Sequence, residues 1–110
     1  MMTVNDQRIA AELQRKLLAQ EHATIRRVIL YGSRARGTAT PDSDFDLLVI
    51  AADPVAKWEE MRRLRSAMRD LPYGIDVWVM GETEFEETKN VIGGLAYPAY
   101  KYGVVLYENP

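Results

Sequence analysis

The chain has 110 residues, 47% of them hydrophobic and 27% charged, a globular balance that suits one small domain spanning residues 1–110. A formal net charge of −2 argues against direct nucleic-acid binding, and the absence of cysteine removes disulfides, thiol nucleophiles and cysteine-rich zinc sites. The N-terminal "MMTVNDQRIAAELQRK" lacks the apolar core of a secretion signal and no apolar run reaches membrane-spanning length, so a soluble cytoplasmic domain is expected.

Taken in chain order, Ile9, Leu13 and Leu17 form one stripe, with Ala10 and Leu18 beside it, which predicts a helix from about Asp6 to Glu21 with Asp6 as N-cap. "IRRVILY" (Ile25–Tyr31) is a β-prone run stopped by Gly32. "SRARG" reads as a short helical turn, and a loop follows through Thr38–Ser43. "DFDLLVIA" reads as a second strand; its last residues are apolar on both faces, which places it inside a sheet. Pro54 suits the first turn of a long helix reaching about Leu71, with Trp58, Met61, Leu64, Met68 and Leu71 on its core stripe.

A third strand, "YGIDVWVM", follows the turn at Pro72-Tyr73-Gly74, and "ETEFEETKN" reads as a short acidic helix. The tail suggests a helical turn with Pro98 near its start, Gly103 as C-cap and a final strand at Val104–Tyr107. Strands joined by helices at these intervals imply an α+β fold, a mixed sheet with helices packed on it.

The chemistry concentrates at the start of the second strand. Asp44 and Asp46 are two residues apart, so on a strand they share a face about 6.6 Å apart. Two such carboxylates repel unless a cation neutralises them. They can converge on two cations about 3.5–4 Å apart, the arrangement of two-metal phosphoryl transfer. Oxygen ligands without cysteine favour Mg²⁺, or Mn²⁺, over Zn²⁺.

Upstream, Gly32-Ser33 closes a strand and opens a helical turn, a junction whose backbone N–H groups suit phosphate. Arg34 and Arg36 add charge-assisted donors. Asp76 interrupts an apolar third strand, where a lone charge is costly unless paired with an arginine or bound to metal. Asp42, beside Pro41, reads as a loop residue. Phosphate turn, carboxylate pair and third carboxylate together specify a nucleoside triphosphate and two metals.

"GSRARGTATPDSDFDLLVI" (residues 32–50) closely resembles the signature of the minimal nucleotidyltransferase family, within the polymerase β-like superfamily, and Asp76 in "GIDVWVM" fits its third carboxylate. The resemblance implies a minimal, single-domain polymerase β-like fold and Mg²⁺-dependent transfer of AMP from ATP. It implies that Gly32 and Ser33 hold the β- and γ-phosphates and that Arg36 contacts the triphosphate. Asp44 and Asp46 would bind both metals, with Asp76 completing the metal site and helping to activate the acceptor hydroxyl. A chain of this length leaves no room for an acceptor domain, so a partner or a homodimer would supply that surface. Members of the family commonly pair as antitoxins with HEPN-domain toxins and can adenylylate a toxin tyrosine.

Other residues invite functional readings of less weight. His22, the single histidine, reads as a helix-end or solvent residue, and Tyr97, Tyr100, Tyr102 and Tyr107 read as packing or interface residues. The arginines between Lys57 and Arg69 interleave with Glu59, Glu60 and Asp70, as a solvated face does; Trp58 reads as core. The leading expectation is an AMP transferase acting on a toxin. The alternatives are an antitoxin that neutralises by occlusion alone and a small-molecule nucleotidyltransferase.

Overall fold

The computed structural model describes residues 1–20 and 23–109. His22 and Glu21, assigned by sequence to the end of the first helix, lie outside them. Helix α1 (Val4–Leu18) is followed by β1 (Ile25–Tyr31), α2 (Ser33–Arg36), β2 (Phe45–Ala51) and α3 (Lys57–Met68), then β3 (Ile75–Gly81), α4 (Glu82–Thr88), α5 (Ala96–Tyr102) and β4 (Val104–Glu108). The strands form one sheet in the order β3-β2-β1-β4. β2 pairs antiparallel with β1 and parallel with β3, and β4 pairs antiparallel with β1. The mixed sheet and the internal position of β2 are as the sequence implies.

Strand parity divides the core in two. Val28 and Leu30 of β1, Phe45, Leu47 and Val49 of β2, and Val77 and Val79 of β3 pack on one face with Leu13 and Leu17 of α1 and Met61, Leu64 and Met68 of α3. On the other face Ile29, Leu48, Ile50 and Met80 meet Phe85 of α4 and Ala96 and Ala99 of α5. The short α4 and α5 shield Ile50 and Met80, nearer one end of the strands. Tyr31, Asp46 and Asp76, nearer the other end, are only half-buried.

Four local readings change. The N-cap of α1 is Thr3, whose side chain accepts from the Asp6 N–H at 3.1 Å. Asp6 lies one turn further in and is buried at 3% exposure, so its carboxylate serves a tertiary partner rather than the helix end. α3 starts at Lys57 rather than Pro54, because the preceding segment is committed elsewhere. Asp53 accepts from the Thr83 N–H at 2.8 Å and the Thr83 hydroxyl at 2.6 Å, tying the end of β2 to the start of α4.

Trp58 is 60% exposed and stacks beside Lys57, while Met61, Leu64 and Met68 of the same stripe are buried. Of the arginines on α3, Arg63 pairs with Glu60 one turn earlier, but Arg65 reaches across to β3, donating to the Val77 carbonyl at 2.8 Å. The closing tyrosines pack edge-on: Tyr100 meets Phe85 with ring centres 6.2 Å apart, and Tyr97 meets Tyr102 at 6.4 Å. Among the described residues, no helix is long and apolar enough to cross a membrane.

These exposures separate two residues of one helical stripe. Leu64→Ala, fully inside the core, is expected to cost about 2–5 kcal/mol. Trp58→Ala is expected to cost less than about 1 kcal/mol despite removing a larger side chain. Urea denaturation of the two variants checks the contrast.

Candidate active site

The site begins with a register. Tyr31 of β1 sits opposite Asp46 of β2, and Asp46 lies alongside Asp76 of β3, so one row across three strands carries Tyr31, Asp46 and Asp76 on a single face. Asp44 precedes β2 by one residue and is exposed. The chain leaves β1 through Gly32, at φ 78°, a left-handed conformation that L side chains adopt only under strain. A second reason for glycine is space, since a Cβ at Gly32 would collide with Oδ2 of Asp46. The phosphate turn foreseen at Gly32-Ser33 and the Asp46 carboxylate are therefore in direct apposition. Gly74 has the same relation to Asp44, whose Oδ1 occupies the space a Cβ there would need.

The grouping of negative charge has electrostatic consequences. Burial, then the neighbouring carboxylates of Asp76 and Asp44, push the Asp46 carboxyl above its ordinary value. The Tyr31 phenol is pushed up to about 12 by burial and by Asp46 and Asp76, against a smaller opposing effect of Arg65. Tyr31 is thus a protonated hydroxyl at neutral pH, able to donate a hydrogen bond into the site.

Of the two readings its sequence position allowed, Asp76 meets the pairing with an arginine. Its Oδ1 pairs with Nη2 of Arg65 at 3.3 Å, and its Oδ2 accepts from the Trp78 indole N–H at 2.9 Å. The Arg65 guanidinium also lies 5.3 Å from the centre of the Trp78 ring. A cleft of about 370 Å³ opens beside Asp76, lined by Arg65, Met68, Arg69, Tyr73 and Ile75. Among the described residues, no three His, Cys, Asp or Glu side chains already converge as a metal cage. The donor set nevertheless suits a hard divalent cation: oxygen ligands only, a half-buried carboxylate raised by burial and by its neighbours, and glycine backbone cleared around both Asp44 and Asp46.

The two arginines of "SRARG" part company. The Arg36 side chain is exposed and makes no ion pair among the described residues, which leaves it available to a ligand. Arg34, expected as a second phosphate donor, turns inward instead. It pairs with Asp6 at 3.1 Å, its side chain only 15% exposed. It also donates to the Ser43 carbonyl at 2.9 and 3.2 Å and to the Pro41 carbonyl at 3.3 Å.

Sequence reasoning passed over Tyr31, Arg65 and Trp78. Trp78 carried a usable signal, since it stands two residues after Asp76 on one strand and must share its face. Tyr31 and Arg65 join the site only through strand pairing and helix packing.

Residues 14–110 match the family model described as polymerase beta, nucleotidyltransferase. A segment of 56 residues is 38% identical to the protein adenylyltransferase MntA of Shewanella oneidensis, a match over 48% of this chain and 40% of the length of that relative. Among solved structures, a Sulfolobus solfataricus protein described as a nucleotidyltransferase superposes with a TM-score of 0.63 at 20% identity, over 96% of this chain and 86% of that one. A toxin–antitoxin structure with AMP-PNP gives 0.52 at 23% identity, over 90% of this chain and 73% of its own. A complex of the tri-AMPylated Shewanella oneidensis HEPN toxin with its MNT antitoxin gives 0.50 at 22% identity, over 94% and 73%. At these identities the solved structures speak to the fold, and the family model speaks to descent. The chain belongs to the polymerase beta nucleotidyltransferase family.

Proposed function

We propose that the protein is a minimal nucleotidyltransferase that moves AMP from ATP, with Mg²⁺ or Mn²⁺, to a hydroxyl of a partner protein, and that it serves as a cytoplasmic antitoxin. The partner is a HEPN-domain toxin and the acceptor one of its tyrosines. The observation that carries this reading is the apposition of the Gly32-Ser33 turn to a row of carboxylates on one sheet face. The partial identity to MntA and the shared fold with antitoxins bound to HEPN toxins support the choice of partner.

In this reading Gly32, Ser33 and Arg36 bind the triphosphate, with backbone N–H groups, a hydroxyl and an exposed guanidinium meeting its oxygens. Asp44, Asp46 and Asp76 hold two divalent ions. Held by these carboxylates, the ions would supply neutralisation of the negative charge that develops during the transfer. The acceptor hydroxyl approaches from the cleft beside Asp76. Its oxygen bonds to the α-phosphorus, the bond to the β-phosphate breaks, pyrophosphate leaves, and Asp76 assists removal of the hydroxyl proton. The Tyr31 hydroxyl is placed to donate toward Asp46 or a phosphate oxygen.

One observation favours neutralisation by occlusion. Both oxygens of Asp76 are engaged by Arg65 and Trp78, as a purely structural carboxylate would be. The two readings separate at Asp46. After co-purification with its bound partner and addition of ATP and Mg²⁺, intact-mass spectrometry is expected to show whole AMP units on the partner. Asp46→Ala or Asp44→Ala is expected to lower that transfer by at least about 100-fold while the complex persists. Transfer unchanged in both variants would remove these carboxylates from the reaction; no transfer from the wild type, with the complex intact, would favour occlusion.

Thermal unfolding gives a second check. Because the folded-state Asp46 carboxyl is raised above its ordinary 3.8, the folded protein binds that proton more tightly than the unfolded chain. The ionised group therefore costs stability, increasingly as pH rises from about 3.8 through the folded-state value and fully above it. Asp46→Asn is expected to raise the Tm at pH 7 in chelator and to lose that advantage in acid. Mg²⁺ is expected to raise the wild-type Tm and narrow the gap. Equal melting of the two proteins in chelator at pH 7 would contradict the crowding of charge around Asp46.

A further inference from the structure

The geometry points to Arg34 as a positioning residue that presents Asp44 to the metal site and locks the metal loop to the phosphate turn. This deepens the proposed function and rests on the reading of Asp44 as a metal ligand.

Arg34 belongs to the phosphate turn itself, one residue after Ser33. Its side chain turns inward and grips the segment before β2 on both sides of Asp44. On the N-terminal side, Nε and Nη2 donate to the Ser43 carbonyl and Nη2 also donates to the Pro41 carbonyl. On the C-terminal side, the guanidinium carbon lies 4.5 Å from the centre of the Phe45 ring, a cation–π stacking distance. Phe45 is itself anchored, edge-on to Tyr73 with ring centres 5.9 Å apart and with its N–H on the Gly74 carbonyl at 2.8 Å. Asp44 is the exposed residue between these two held neighbours. The remaining nitrogen, Nη1, pairs with the buried Asp6 of α1, which fixes the guanidinium plane from behind.

The loop is also tied to α2 by the Thr38 N–H on the Ser33 carbonyl at 3.1 Å, at its end far from Asp44. Its own turn is closed by Ser43 N–H on the Thr40 carbonyl and by Thr40 N–H on Ser43 Oγ, both at 3.0 Å, contacts that shape the loop without tying it to α2. A planar fork with several donors can serve two carbonyls, a carboxylate and an aromatic face at once; a lysine ammonium cannot. Arg34 is thus expected to matter through its shape as much as its charge.

The test uses Mn²⁺ as the probe, with affinity read by electron paramagnetic resonance in the presence of a non-hydrolysable ATP analogue. Wild type, Arg34→Gln, Arg34→Lys, Asp46→Ala and the distant core variant Leu13→Ala are compared. Leu13→Ala is expected to lose stability and keep Mn²⁺ affinity, since it marks what destabilisation alone does. Arg34→Gln and Arg34→Lys are expected to keep a cooperative thermal transition and to bind Mn²⁺ about 10- to 100-fold more weakly, the range seen when residues that orient metal ligands are removed. Where Arg34→Gln does not fold, Arg34→Lys carries the same comparison. Wild-type affinity in Arg34→Lys, or a loss no larger than in Leu13→Ala, overturns the inference. If Asp46→Ala abolishes Mn²⁺ binding in the same series, the metal-site reading stands and only the role of Arg34 fails. If the wild type binds no Mn²⁺, the metal-site reading fails and the inference with it.

Discussion

Repulsion between carboxylates held on one face of a sheet is the constraint around which the rest of this structure is arranged. The parallel ladder puts Asp46 directly beside Asp76, and no side-chain rotation can carry either to the other face. A slip of one residue in β3 would bury Asp76 against α3 and expose Val77, so the apolar pattern of the strand enforces the charged pairing. Around that row the protein places moderating groups on Asp76, an indole N–H at Trp78 and a guanidinium at Arg65. Each tempers the negative charge without abolishing it. The residual charge is what a site for cations and a polyphosphate requires.

The sequence revealed the strands and the linear motif because both are written in neighbouring residues. "IRRVILY" begins and ends where β1 does, and Asp46 follows Asp44 at strand spacing without reference to anything distant. Arg34 shows where that kind of reading stops. An arginine in a phosphate turn is by local logic a phosphate ligand, and only the arrival of α1 with its buried carboxylate turns it inward. Asp6 erred for the same reason, its local reading as a helix cap being displaced by a partner 28 residues away. Trp58 failed differently: helical periodicity assigns a side to a residue but does not say how far the neighbouring layer extends, and the packed layer ends short of it.

The largely buried Arg34–Asp6 pair illustrates how stability and specificity diverge. Desolvating two charges offsets most of their attraction, so such a pair adds little net stability, and well-packed apolar residues could replace it at no loss. What apolar residues would lack is direction. A guanidinium accepts only partners that lie where its N–H groups aim, and this one aims at the backbone flanking Asp44.

The position of β4 bears on how the molecule assembles. β1, β2 and β3 follow one another closely along the chain, whereas β4 returns from the far end to pair with β1. Closing that ladder joins the first third of the sequence to its last residues, the longest loop in the sheet, and loop entropy makes such contacts late to form. Every carboxylate of the site lies on or beside strands that precede this step. The carboxylate face can therefore be laid down before the closing strand docks, and α5 with β4 acts as a latch on a sheet already organised around its charges.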